Sequence, residues 1–114
     1  MADNELVPGT LELLILKTVS LEPLHGWGIA QRIEQLSRDT FRVNQGSLYP
    51  ALQRLKGQGL IRSEWRMTEH NRRARFYQLT LAGRLRLSEE RREWERSATA
   101  MGWILSATLE EVRS

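Results

Sequence analysis

The 114-residue sequence contains no cysteine, so disulfides and thiolate metal sites are excluded. It has only two histidines, His25 and His70, and neither stands near other ligand-type residues, so no metal site is expected. There is no phosphate-cradling glycine loop and no constellation of paired carboxylates, so neither a catalytic site nor a cofactor is expected. Long apolar runs are also missing. The longest, "LELLILKTVSL", is interrupted by Glu12 and Lys17 and is far too short to span a bilayer. The first residues, "MADNELVPG", are acidic and lack the apolar centre of a secretory signal. These absences lead to the expectation of a cytoplasmic, non-membrane protein of one domain.

Acidic side chains are scarce in one part of the chain, and that part is informative. Residues 32–86 hold twelve Lys or Arg against four acids, a balance of +8, whereas residues 1–31 stand at −3 and residues 87–114 at −2. The basicity is thus concentrated in the centre, which points to a polyanionic partner. Arginine outnumbers lysine by 15 to 2, and its planar fork suits bidentate phosphate and base contacts.

The apolar periodicity suggests an order of elements. Residues 1–9 read as a flexible arm, broken from the rest by Pro8-Gly9. Thr10 is placed to cap a first helix reaching about Ser20. Leu11, Leu13, Leu14, Ile15, Leu16 and Val19 cover nearly every side of that helix, which therefore needs burial all round. In a chain this small, one side is expected to meet a second subunit through Leu11 and Ile15. "EPLHG" reads as a turn, with His25 capping or supporting a second helix from Gly26 whose buried stripe is Ile29, Ala30, Ile33 and Leu36. A third helix carries Leu48, Ala51, Leu52 and Leu55 on one face. Pro50 is tolerated only in a first turn, so this helix should start near Gly46 or Ser47. "KGQG" should end it, with Gly57 or Gly59 in the left-handed conformation. "LIRSEWRM" and "ARFYQLT" alternate as two strands around the loop "TEHNRR", with Ile61, Ser63 and Trp65 on one side of the first and Tyr77 and Leu79 inward on the second. Thr80 is placed to cap a long final helix over roughly 81–109.

Three helices, a basic hairpin and a long helix make the fold class mainly α with a small β-hairpin: a winged helix-turn-helix over residues 10–80, followed over 81–114 by a C-terminal dimerisation helix. In such a fold the third helix enters the DNA major groove. Its first turn is unusually small and polar for a core helix. Asn44 and Gln45 suit purine edges, Gly46 permits close approach, and Ser47 and Tyr49 offer hydroxyls to phosphate. Tyr49, Gln53 and Lys56 share the face opposite the leucines. Arg72, Arg73 and Arg75 sit on the wing, where they suit phosphate or the minor groove. The plainer alternative is a helix cap, a turn and a solvated charged loop. On the last helix, Trp94, Ala98, Met101, Leu105, Leu109 and Val112 form an apolar stripe suited to a dimer partner. Trp94 and Trp103 are either packing residues or the walls of an effector pocket at that interface.

"PGTLELLILKTVSLEPLHGWGIAQRI", "VNQGSLYPALQRLKGQGLI" and "NRRARFYQLTLAGR" together resemble the PadR-like transcriptional regulators, over about residues 8 to 96. Trp27 stands where that family more often has Tyr. The single helical tail resembles the family's compact branch. The resemblance implies a sequence-specific, homodimeric DNA-binding repressor whose partners are double-stranded operator DNA and a second copy of itself. It also implies relief, in many members, by a small aromatic or cationic effector. The alternative is a winged-helix module for protein–protein contact or non-specific nucleic-acid binding.

Overall fold

The computed structural model describes residues 8–113. The chain runs α1 (Pro8–Leu21), β1 (Leu24–His25), α2 (Gly26–Leu36), α3 (Gln45–Gly57), β2 (Ile61–Met67), β3 (Arg73–Leu79), α4 (Leu81–Leu105) and α5 (Leu109–Arg113). The expected arm over residues 1–7 lies outside the described residues. Pro8 and Gly9 are already helical, because proline's fixed φ and missing N–H suit a helix's first position. Thr10 is therefore inside α1 and is not its cap.

The core is one cluster of apolar side chains from α1, α2, α3 and the base of the hairpin. Leu48, Ala51, Leu52 and Leu55 all lie within it, as the spacing of three and four predicts. Leu11 and Ile15 are also in it, at 3% and 0% exposure, so the core of the protomer consumes both. The expectation that they meet a second subunit is corrected: α1 is surrounded by α2, α3, α4 and β3 of its own chain. Leu36, expected in the buried stripe of α2, is 57% exposed because it falls in the last turn, beyond the reach of the core.

Side chains and glycine fix the ends of these helices. His25 caps α2, its Nδ1 accepting from the Gly28 N–H at 3.0 Å. Asn44 caps α3, its Oδ1 accepting from the Ser47 N–H at 3.2 Å. α3 begins at Gln45, so Pro50 lies one or two residues deeper than expected, in the second turn, and cannot donate the i+4 N–H to the Gly46 carbonyl. At the other end Gly59 takes φ +75°, and the Leu60 and Gly59 N–H groups donate to the Leu55 and Lys56 carbonyls, both at 3.0 Å. α2 closes in the same way with no glycine. Arg38 and Asp39 adopt φ of 53° and 63°, and their N–H groups donate to the Gln35 and Glu34 carbonyls.

The sheet has three strands in the order β1-β3-β2, all antiparallel. β1 falls where only a turn was expected; its Leu24 and His25 pair with Tyr77 and Phe76. The register of the wing sets Ile61 opposite Leu79, Ser63 opposite Tyr77, Trp65 opposite Arg75 and Met67 opposite Arg73. Only the base of this face is buried. Trp65, expected to face inward, lies beyond the core and is 54% exposed.

Thr80 caps α4 as expected, with its Oγ1 accepting from the Gly83 N–H at 3.0 Å and donating to the Gly59 carbonyl at 2.7 Å. The long helix ends at Leu105 rather than near 109. Ser106 caps it, and Thr108 opens α5, where the Thr108 hydroxyl and Glu111 carboxylate cap each other. Leu109 and Val112 are therefore separated by a break from the stripe they were expected to extend.

Candidate nucleic-acid interface

The third helix is held rigidly on one side and left bare on the other. Its four apolar residues anchor it in the core, and an ion pair from Arg54 to Glu12 at 2.7 Å ties it to α1. The connection before it is pinned by Glu34, whose carboxylate accepts from the Val43 N–H at 3.1 Å, one residue ahead of the cap. Asn44, Gln45, Gly46 and Ser47 are all exposed. Among the described residues the Gln45 and Ser47 side chains have no hydrogen-bond partner, whereas the Oδ1 of Asn44 is engaged as the cap and its exposed amide N–H₂ is not. The helix N-terminus adds unpaired backbone N–H groups and the positive end of the helix dipole to this turn.

Tyr49, Gln53 and Lys56 are exposed along α3, opposite its leucines. Tyr49 is also tucked against Gly26 at the start of α2. A side-chain carbon on Gly26 would come within 2.8 Å of the phenol oxygen, which explains glycine in "HGWG". Burial pushes the Tyr77 hydroxyl above the ordinary phenol value of 10.0. Nearby Tyr49 pushes it the same way and Arg75 opposes, so Tyr77 stays neutral at physiological pH.

An open groove of about 1000 Å³ runs from α2 to the wing. Trp27, Gln31 and Gln35 of α2 and Tyr49 of α3 line one side; Arg72, Arg73 and Arg75 line the other. The wing arginines and Tyr49 of α3 thus border a single concavity, although they are distant in sequence; the first turn of α3 does not line it. Sequence reasoning missed two contributors to it: Trp27, exposed in the first turn of α2, and Trp65, whose ring carries the Arg73 and Arg75 guanidinium groups. Alternation alone had assigned Trp65 inward; its neighbours across the ladder, two arginines, were the available signal. His70 lies in the wing loop and lines the groove without a metal-ligating cluster among the described residues.

The residues proposed for assembly are separate from this face. Trp94, Ala98, Met101, Leu105 and Leu109 are all exposed, with Trp94 and Met101 each at 58%. Trp94 and Trp103 are nine residues apart, about two and a half turns, so they project from opposite sides of α4. They do not form one pocket within a protomer. Among the described residues no helix is long and apolar enough to cross a membrane.

A core-anchored helix with a bare polar first turn, beside a cationic hairpin, defines a winged helix-turn-helix DNA-binding protein. Residues 15–89 match the transcriptional regulator PadR-like family, and the chain belongs to that family. It is 39% identical over 95 residues to the transcriptional regulator Rv3488 of Mycobacterium tuberculosis, covering 83% of this chain and 85% of that one. Among solved structures, a PadR-like transcriptional regulator from Bacillus cereus superposes with a TM-score of 0.77 at 27% identity, covering 88% of this chain and 95% of that one. A Streptococcus mutans protein superposes with a TM-score of 0.79 at 26% identity, covering 89% and 91%. The family is one of transcriptional regulators, not enzymes.

Proposed function

We propose that the protein is a homodimeric repressor that reads an operator with the first turn of α3 and grips the flanking backbone with its wing. The observation that carries this reading is the contrast on α3 itself. One face is fully buried, so the helix cannot shift, and the polar first turn is uncovered. On this reading Gln45 and the Asn44 amide meet base edges, Gly46 allows close approach, and Ser47 and Tyr49 donate to phosphate. Gln53 and Lys56 continue the contact along α3, and Arg72, Arg73 and Arg75 neutralise the backbone across the groove.

The DNA-binding unit then extends to Thr80, and α4 with α5 forms the assembly arm. A second copy would cover the Trp94–Ala98–Met101–Leu105 stripe about a twofold axis. Such a dimer would set two α3 helices on successive half-sites. An aromatic or cationic effector that relieves repression would sit beside Trp94 at that interface.

Selection of bound duplexes from a random pool, followed by footprinting, tests this. The expected site is an inverted repeat with half-sites about 34–36 Å apart, one helical turn. Equal affinity for selected and random duplexes would instead favour a non-specific or protein-binding module.

A further inference from the structure

Trp65 stands in the distal half of β2, beyond the core, where an indole has no interior to fill. Two cations share its ring. The Arg75 guanidinium, directly opposite in register, lies 5.2 Å from the ring centroid, and the Arg73 guanidinium lies at 5.0 Å. Directly opposed residues share a face of the ladder, as do residues two apart on one strand, so the three side chains form a single row. That row lines the groove facing Trp27 and Tyr49. Among the described residues, neither arginine has an ion-pair partner. Glu64 is turned to the other face of the wing beside Arg66, and Glu69, on the groove rim, reaches neither arginine.

Stacking presents the flat face of a guanidinium to the ring and leaves the donors at its edge free, because all its N–H groups lie in the guanidinium plane. An unsupported arginine on an open hairpin samples many rotamers, and binding must suppress that freedom. An arginine already stacked has given up much of it beforehand. We propose that Trp65 is a positioning residue for DNA binding: its indole pre-orders Arg73 and Arg75 as a paired cationic clamp for the sugar–phosphate backbone. The proposal rests on the reading of the wing as a DNA contact.

The test is titration of a duplex selected from a random pool, at several salt concentrations, with thermal melting of each variant alongside. Trp65→Leu should weaken binding about three- to tenfold, the scale of one to two exposed cation–π contacts. Trp65→Tyr, which keeps an aromatic face, should recover most of the loss. In a background carrying Arg73→Ala and Arg75→Ala, Trp65→Leu should have no further effect, since there is nothing left to position. If Trp65→Leu melts early, Trp65→Gln, suited to an exposed strand, makes the same comparison. Wild-type affinity in a folded Trp65 variant would overturn the proposal, as would a loss that persists without the two arginines. The salt slope separates the two levels. Arg73→Ala with Arg75→Ala should lower its magnitude by about one unit per lost phosphate contact. If that double variant leaves slope and affinity unchanged, Arg73 and Arg75 do not touch DNA and the clamp falls with that contact; extending the substitution to Arg72 then tests the rest of the wing.

Discussion

At the scale of single residues, Gly83 has the least room for a side chain of any described glycine. α4 crosses the turn between α3 and β2 so closely that a side-chain carbon on Gly83 would lie 2.0 Å from the Leu60 carbonyl oxygen. The same carbonyl accepts from the Thr80 N–H at 3.1 Å, while the Thr80 hydroxyl donates to the Gly59 carbonyl. The "LTLAG" stretch, residues 79–83, therefore ties the long helix to the winged domain, a structural duty separate from DNA contact. Gly83→Ala must push backbone apart and should lower stability by about 2–3 kcal/mol, as overpacking does. Urea melts with an unchanged m-value would show that loss. A stability change under about 0.5 kcal/mol would mean the crossing is looser than this geometry.

At the scale of elements, α3 separates fold from function along its own axis. Its leucine face was legible in the sequence because burial on one side of a helix imposes a repeat of three and four. Its first turn was legible only as a contrast, polar where a core helix has no need to be. Within that turn the roles now divide. Asn44 is committed to the cap, so Asn44→Ala should cost about 1 kcal/mol of stability as well as any DNA affinity. The exposed Gln45 side chain has no hydrogen-bond partner among the described residues. Gln45→Ala should leave melting unchanged and weaken binding to the selected site by about 1–3 kcal/mol more than binding to random DNA, if a base contact is lost. Equal weakening on both duplexes would demote Gln45 to a backbone contact. The wing was half-legible: its alternation and basic tip could be read, but its length beyond the core could not. Trp65 was therefore assigned to an interior that ends before it.

At the scale of the whole molecule, extents of 65 × 33 × 21 Å describe a small winged domain with an arm. The arm is α4, and its distal half exposes Trp94, Met101, Ile104 and Leu105, the last at 81%. Apolar side chains concentrated on a projecting helix mark a surface that water destabilises and a second copy would cover. The chain is expected to sediment at about 27 kDa, twice its 13.3 kDa mass. Met101→Glu, which would bury an unpaired charge at the centre of the stripe, should shift it to the mass of one chain with the winged domain still folded. Wild-type protein sedimenting as one chain at micromolar concentration would end the dimer reading. The Arg91–Glu95 and Arg96–Glu93 pairs on α4 are solvent-exposed and contribute little to either outcome.

The sequence by itself determined whatever depends on neighbours within a few residues. The leucine repeat of α3, the caps at His25 and Thr80, a left-handed glycine at either Gly57 or Gly59 (the structure takes Gly59) and the alternation of the hairpin all follow from local spacing and local hydrogen bonds. Only the tertiary structure decided how far the core reaches. It enclosed Leu11 and Ile15, left Leu36 and Trp65 outside, and recruited Leu24 and His25 as a third strand too short to show any period. The break of the last helix at Ser106 is local as well, since the Ser106 hydroxyl donates to the Gly102 carbonyl and Thr108 and Glu111 cap a new turn, but an apolar stripe that runs on through Leu109 hides it from periodicity. Periodicity states which side of an element seeks cover. Whether cover arrives depends on where the next element ends, and that is set by packing between residues distant in the chain.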